Sequence, residues 1–254
     1  QMCIRDSSFI SQVVQEKVRV VVCEVLPTTL PQEVTFVKVA DTTIAMGKIA
    51  ANFYGNPSKK LKLVGVTGTN GKTTIATLLY QLFGLLGHKV GLISTIAIYI
   101  DQQRMETKNT TPDVLTLNEV MHRMVEQGVT HCFMEVSSHG VALHRIEGLH
   151  FSGGIFTNLT QDHLDFHNTL ADYRDTKKKF FDSLSKTAFA LTNIDDKNGS
   201  YMLQNTPAKR YSYALKTMAD FRLSVLENTF SGMLLRIETQ EVWVSLIGKF
   251  NAYN

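Results

Sequence analysis

Val64-Gly65-Val66-Thr67-Gly68-Thr69-Asn70-Gly71-Lys72-Thr73-Thr74 runs from an apolar segment into a helical pattern, and its reading decides the fold. Gly68 and Gly71 tolerate positive φ and close backbone approach, so successive N–H groups can point at phosphate oxygens where the next helix begins. A strand, a glycine loop and a helix in that order read as a phosphate-binding loop. Lys72 then supplies a point charge for β- and γ-phosphates, and the Thr73 hydroxyl a ligand for Mg²⁺. The general P-loop pattern puts its first glycine where Val66 stands; the spacing here is the shorter Gly68-x-x-Gly71-Lys72-Thr73.

Outward from this loop the pattern alternates strand and helix, which argues for an α/β fold with a mainly parallel sheet flanked by helices. Strand 61–66 enters the loop, helix 72–86 leaves it with Gly87 at its C-terminal cap, and strand 89–95 follows. Residues 96–111 are less regular; helix 113–127 then ends at Gly128. Strands at 130–136, 151–157 and 186–192, with a helix at 169–184, continue the alternation. Short segments at 210–214, 220–226, 233–238 and 241–247 read as antiparallel hairpins. Before the loop, strands at 18–25 and 34–40 precede a helix capped by Asp41, with Ile44, Ile49 and Phe53 near one face. Gly55-Asn56-Pro57-Ser58 is the expected boundary between a small N-terminal α/β unit, 1–58, and the main domain, 59–254.

With 254 residues, 44% hydrophobic and 19% charged, the chain has the composition of an ordinary globular protein. A net charge of +3 is too mild to argue for nucleic acid and remains compatible with small anionic substrates. Cys3, Cys23 and Cys132 offer neither a disulfide framework nor zinc spacing, so a reducing cytoplasm is expected. The sequence shows neither a membrane-spanning run nor a signal-peptide progression, so no membrane insertion is expected.

Chemistry gathers at strand ends, where ligands bind in open α/β sheets. Glu135 closes an apolar strand beside the expected nucleotide site, where an acid can hold Mg²⁺ or orient its water; a solvated strand-end acid is the bland alternative. Asp162-His163-x-Asp165-x-His167 is dense in metal-capable groups, with His163 the strongest candidate and the two acids equally suited to helix capping. Lys177-Lys178-Lys179 lies in the next helix; at ~100° per residue one lysine can face the site while the others face water. Ser137, Ser138 and His139 lack the Gly-x-Ser-x-Gly elbow. On an extended segment adjacent residues point to opposite faces, so polar contacts to an oxygen-rich substrate fit better than a hydrolase. Arg145 can clamp a carboxylate or phosphate, or remain a surface charge.

Thr67-Gly68-Thr69-Asn70-Gly71-Lys72-Thr73-Thr74 resembles the P-loop of the Mur ligase family, whose glycine spacing is shortened in this way. Asn109-Thr110-Thr111-Pro112, Glu135-Val136-Ser137-Ser138-His139, His144-Arg145 and Thr157-Asn158-Leu159-x-x-Asp162-His163-Leu164-Asp165 follow in the order seen in the member that adds a diamino acid. The resemblance covers roughly residues 55 to 254. It implies ATP-dependent amide-bond synthesis in peptidoglycan assembly, by a cytoplasmic monomer. ATP phosphorylates the terminal D-glutamate of UDP-MurNAc-L-Ala-D-Glu, and a diamino acid, diaminopimelate or lysine, attacks the acyl phosphate.

Carried over residue by residue, the resemblance implies that Gly68, Thr69, Asn70, Gly71, Lys72, Thr73 and Thr74 cradle ATP, with Asn251 and Asn254 at the adenine. Thr73 and Glu135 hold one Mg²⁺. His163, together with a carbamylated Lys177 recognised by the Tyr173-x-x-x-Lys177 spacing, holds a second metal. Thr110, Thr111, Ser137 and Arg145 contact the muramyl dipeptide. The family's N-terminal uridine-binding part is expected to survive here only as a remnant, and its C-terminal amino-acid domain to lie beyond Asn254, leaving this stretch without ligase activity alone. Two rivals stay open: another Mur or folylpolyglutamate-type ligase, and a P-loop protein that uses nucleotide as a switch.

Overall fold

The computed structural model describes residues 10–16, 18–162 and 166–254. In chain order the elements are α1 (Ile10–Gln15), β1 (Val20–Cys23), β2 (Thr35–Lys38), α2 (Thr42–Phe53), β3 (Lys62–Thr67), α3 (Lys72–Leu85), β4 (Val90–Ile93), β5 (Ile98–Ile100) and β6 (Gln103–Met105). Then come α4 (Val114–Glu126), β7 (His131–Glu135), α5 (Ser138–Ala142), β8 (Gly153–Phe156), α6 (Leu170–Asp182), β9 (Phe189–Asn193) and α7 (Gly199–Met202). The chain closes with β10 (Lys209–Ala214), β11 (Phe221–Thr229), β12 (Gly232–Ile237) and β13 (Gln240–Val244).

Among the described residues the strands from β3 onward form one sheet in the order β13-β12-β11-β10-β9-β8-β3-β7-β4-β5-β6. From β4 through β7, β3, β8, β9 and β10 to β11 the neighbours run parallel. The connections after β3 first lead to one side, β4 and β7, and then cross to β8 on the other. Strand β3 therefore ends at the topological switch point, where loops diverge and leave a crevice. The glycine loop occupies that crevice.

Each face of the sheet is covered for a reason visible in side-chain spacing. Ile75, Ala76, Leu79, Tyr80 and Phe83 of α3 pack on Val64, Val66, Val90, Leu92, Phe133 and Ile155. Gly87 at φ 86 ends α3, and the His88 N–H donates to the Phe83 carbonyl. On the opposite face, Tyr173, Phe180, Phe181 and Leu184 from the α6 region join Leu117, Val120, Met121 and Met124 of α4 in the larger core. Full burial of one such side chain stabilises by about 1.5–3 kcal/mol. A Cβ at Gly65 or Gly154 would come within 2.6 or 2.8 Å of the Phe180 ring. These glycines let α6 sit close on the central strands, which brings Lys177, one turn before Phe180, over the loop.

Three expectations change. Strand β10 pairs in parallel with both β9 and β11, so only β11, β12 and β13 form the antiparallel meander. Residues 96–111 contain a hairpin, β5 and β6, that extends the sheet antiparallel from β4. Helix α2 turns its small residues inward, Gly47, Ala50 and Ala51, while Ile49 and Phe53 are exposed. Close approach decides this orientation: a Cβ on Gly47 would lie 2.7 Å from the Glu147 carbonyl. Strands β1 and β2 pair in parallel as a separate two-stranded sheet, with Val21 and Cys23 of β1 clustered with Ile10 of α1.

Candidate functional site

Gly68 at φ 149 and Gly71 at φ 88 take the conformations that suit glycine and turn the chain from β3 into α3. Space reinforces the choice. A side chain at Gly68 would run into Thr157 Oγ1, and one at Gly71 into Asn254 Oδ1. The loop is clamped by the segment after β8. Thr69 N–H donates to the Asn158 carbonyl at 2.8 Å, Asn70 N–H donates to Asn158 Oδ1 at 3.0 Å, and Thr157 Oγ1 donates to the Asn70 carbonyl at 2.6 Å. Asn158 Nδ2 also donates to the Asn70 carbonyl, at 3.1 Å. Thr69 is buried, and its hydroxyl lies 3.3 Å from Tyr173 OH on α6. Asn70 is exposed and Thr74 half-buried on the first turn of α3.

Two lysines meet at one carbonyl. Lys72 Nζ donates to Gly68 O at 3.0 Å and to Thr69 O at 2.8 Å, while Lys177 Nζ donates to Gly68 O at 2.9 Å. Lys177 is 1% exposed and lies 4.5 Å from the centre of the Tyr173 ring. Burial, and then the charge of Lys72, push the Lys177 amine well below the ordinary lysine range, with Asp162 acting the other way. Burial also lowers Lys72, against the opposing pull of Glu135 and Asp162. Both amines are therefore easier to deprotonate than surface lysines. Their neighbours differ from the sequence expectation: Lys178 is also buried, donating to Asp182 at 2.5 Å and to the Gln204 carbonyl at 2.6 Å, and Lys179 alone of the three is exposed.

Across the loop, Glu135 at the end of β7 is fully buried. Thr73 Oγ1 donates to its Oε1 at 2.9 Å, Thr95 N–H to Oε1 at 2.7 Å, and Thr95 Oγ1 lies 3.1 Å from Oε2. Thr95 Oγ1 also stands 3.1 Å from Thr110 Oγ1, connecting the carboxylate to the Thr110-Thr111 segment. Thr111 Oγ1 lies 2.9 Å from the Glu135 carbonyl and 3.0 Å from Ser137 Oγ, and Arg145 Nη1 donates to Thr111 O at 2.8 Å. Arg145 is thus held beside the threonines. Ser137 does not lie on an extended run: it caps α5, its Oγ accepting from Gly140 N–H at 3.0 Å, and Ser138 and His139 form the first turn.

The remaining candidates fall in two places. Asn254 lies against Gly71, its Nδ2 donating to Asn251 Oδ1 at 2.9 Å, and Asn251 Nδ2 donates to Ile247 O at 2.8 Å. His163 and Asp165 lie outside the described residues. His167 is buried with its ring 5.1 Å from that of Tyr173. Sequence reasoning gave no role to Thr95, Asn158 or Asp195. Each acts through a partner at least 20 residues away in sequence, as with Asp195 and Leu215; Asn158 sits inside the Thr157-Asn158-Leu159 motif without its contacts being readable there, and Thr95 and Asp195 lie in none.

Residues 66–254 match the family described as the Mur ligase middle domain. The chain is 57% identical over 247 residues, 97% of its length, to the UDP-N-acetylmuramoyl-L-alanyl-D-glutamate--2,6-diaminopimelate ligase of Phocaeicola vulgatus. It spans about half the length of the curated relatives it matches, 51% in that case. A solved structure of a ligase of the same name superposes with a TM-score of 0.78 at 27% identity, covering 91% of this chain and 48% of that one. The MurF ligase from Thermotoga maritima in complex with ADP shares the fold, with a TM-score of 0.58 at 17% identity over 97% of this chain and 54% of that one.

Proposed function

The chain belongs to the Mur ligase family, and from that premise we propose that it is the nucleotide-binding part of a ligase joining 2,6-diaminopimelate to UDP-MurNAc-L-Ala-D-Glu. One observation carries the reading: Lys72, the Thr73–Glu135 pair and Lys177 converge on a single glycine loop at the switch point. In the reaction the γ-phosphoryl group of ATP passes to the terminal D-glutamate carboxylate, releasing ADP. The diaminopimelate amine then attacks the acyl carbon and expels phosphate, leaving the amide.

The loop's N–H groups and Lys72 hold the phosphates and offset the charge on the transferring group, a task of positioning and electrostatics. Glu135 and Thr73 offer a buried carboxylate and a hydroxyl, hard oxygen donors that fit Mg²⁺. Mg²⁺, when bound there, neutralises phosphate charge. Lys177 is assigned to carbamate formation: its buried amine is held toward the neutral form, the form that adds CO₂ with loss of a proton to give a carboxylate-bearing side chain. His163 would complete that second site. Thr110, Thr111, Ser137 and Arg145 are assigned to the muramyl dipeptide, and Asn251 and Asn254 to the adenine. On this reading the protein acts in the cytoplasm as a monomer. Among the described residues no helix is long and apolar enough to cross a membrane.

A substrate panel on the full-length protein tests this function. Continued ADP release, beyond one equivalent of enzyme, should require both the UDP-muramyl dipeptide and diaminopimelate. Dependence on a different muramyl peptide or on folate would move the chain to another ligase of this fold, and ATP turnover indifferent to every acceptor would favour a nucleotide switch.

A further inference from the structure

We propose that Asp195 is a positioning residue for nucleotide binding, acting through Tyr253 to hold Asn251 and Asn254 against the glycine loop. The inference rests on the nucleotide reading above and adds to it a residue outside every motif of the site.

Asp195 follows β9, on the rim from which the neighbouring loops reach the crevice. Its Oδ2 accepts from the N–H groups of Leu215 and Lys216 at 2.8 and 2.9 Å and from Tyr253 OH at 3.0 Å. Its Oδ1 accepts from Thr217 N–H at 2.9 Å. One carboxylate therefore joins the turn after β10 to the short 3-10 segment Lys249–Tyr253. Tyr253 immediately precedes Asn254, whose side chain abuts Gly71 and hydrogen-bonds Asn251. The adjacent Asp196 accepts from Leu159 N–H at 2.9 Å and so braces the other wall, the segment through which Asn158 clamps the loop. Consecutive carboxylates thus tie both walls of the crevice to the end of one strand.

The chemistry suits a fixed brace. Partial burial pushes the Asp195 carboxyl up, but the hydrogen bonds from Thr217, Lys216 and Leu215 favour the charged form and outweigh it, holding Asp195 well below the usual carboxylate range. Burial and the contact with Asp195 push the Tyr253 hydroxyl up to about 12, so it stays a donor at neutral pH. Charge-assisted bonds of this kind are short and directional, which makes them effective in orienting a neighbouring group.

A positioning role separates from general stabilisation by comparing a ligand with adenine to one without. The full-length protein and its Tyr253→Phe, Asp195→Asn and Asn254→Ala variants are titrated with ADP and with inorganic pyrophosphate. Tyr253→Phe removes one hydroxyl and spares the three backbone contacts, so it covers the case in which Asp195→Asn fails to fold. The expected result is ADP binding weakened about tenfold in Asp195→Asn and about threefold in Tyr253→Phe, below the full worth of a hydrogen bond to a charged acceptor because the effect reaches the nucleotide indirectly, with pyrophosphate binding within about twofold of wild type. Combining Asp195→Asn with Asn254→Ala should weaken ADP by clearly less than the sum of the two single losses. Equal losses for ADP and pyrophosphate, or unchanged ADP binding in both variants while the wild type binds ADP, would overturn the inference alone. Failure of the wild type to bind either ligand would overturn the nucleotide reading beneath it.

Discussion

Replacing Lys177 with methionine sets stability against chemistry at one position. The ammonium is 1% exposed and has the Gly68 carbonyl at 2.9 Å as its acceptor, a partner it shares with Lys72. Losing a hydrogen bond to a charged group costs about 1.5–3 kcal/mol, whereas burying an ammonium costs several kcal/mol. Methionine keeps the length and flexibility of the stem without the charge. The balance favours Lys177→Met at pH 7 by about 1–3 kcal/mol, a rise in urea midpoint on the order of 1 M for a slope of ~2–3 kcal/mol per M. The pH dependence carries the sign. The pKa of Lys177 in the folded protein lies below its ordinary 10.5. Between those two values the unfolded chain holds the extra proton, and wild-type stability rises with pH by up to about 1.4 kcal/mol per unit. Below the folded-state pKa both states are protonated and this slope vanishes. The variant lacks the contribution, so its advantage should shrink as pH climbs toward 10. Urea denaturation of both proteins from pH 7 to 10 measures it; parallel stability profiles would refute the argument that Lys177 is held toward its neutral form. The same substitution should abolish ligation in the full-length protein, since methionine cannot form a carbamate.

Lys72→Ala should lower ADP release by at least about 100-fold, the loss typical of removing a group aimed at transition-state charge, as read by a coupled ADP assay. Thr95→Val removes a hydroxyl beside both Glu135 and Thr110 while sparing the Thr95 N–H, so half-saturation by Mg²⁺ should rise about tenfold with little change in ATP affinity at saturating metal. Gly68→Ala forces a Cβ into Thr157 at a positive φ; overpacking and backbone strain together should destabilise by about 2–5 kcal/mol, measurable by urea denaturation.

The loop was legible in the sequence because its chemistry is local: Gly68, Gly71, Lys72 and Thr73 sit within six residues and need only a strand before and a helix after. Glu135 was legible as the end of an apolar strand, whereas Lys177 was singled out from its run only by the resemblance to the family, through its spacing from Tyr173. Thr95 and Asp195 carry no such mark. Thr95 reaches Glu135 across 40 residues, and Asp195 reaches Tyr253 across 58, contacts created by the order of strands in the sheet. Apolar periodicity misled at α2, where Ile49 and Phe53 are exposed because the close approach at Gly47 sets which face turns inward. The same limit applies to β10: alternation identified the strand, yet its parallel partners are fixed by chain crossovers that side-chain pattern does not encode.

If the loop at Gly68–Thr73 serves amide-bond formation, nucleotide turnover must be tied to both acceptors. The most direct measurement is ADP release by the full-length protein with Mg²⁺ and ATP, adding UDP-MurNAc-L-Ala-D-Glu and diaminopimelate singly and together. Beyond one equivalent of enzyme, ADP and the tripeptide product should appear in equal amounts, and only when both substrates are present. ADP formed at the same rate without them, or no ADP under any combination, would contradict that role.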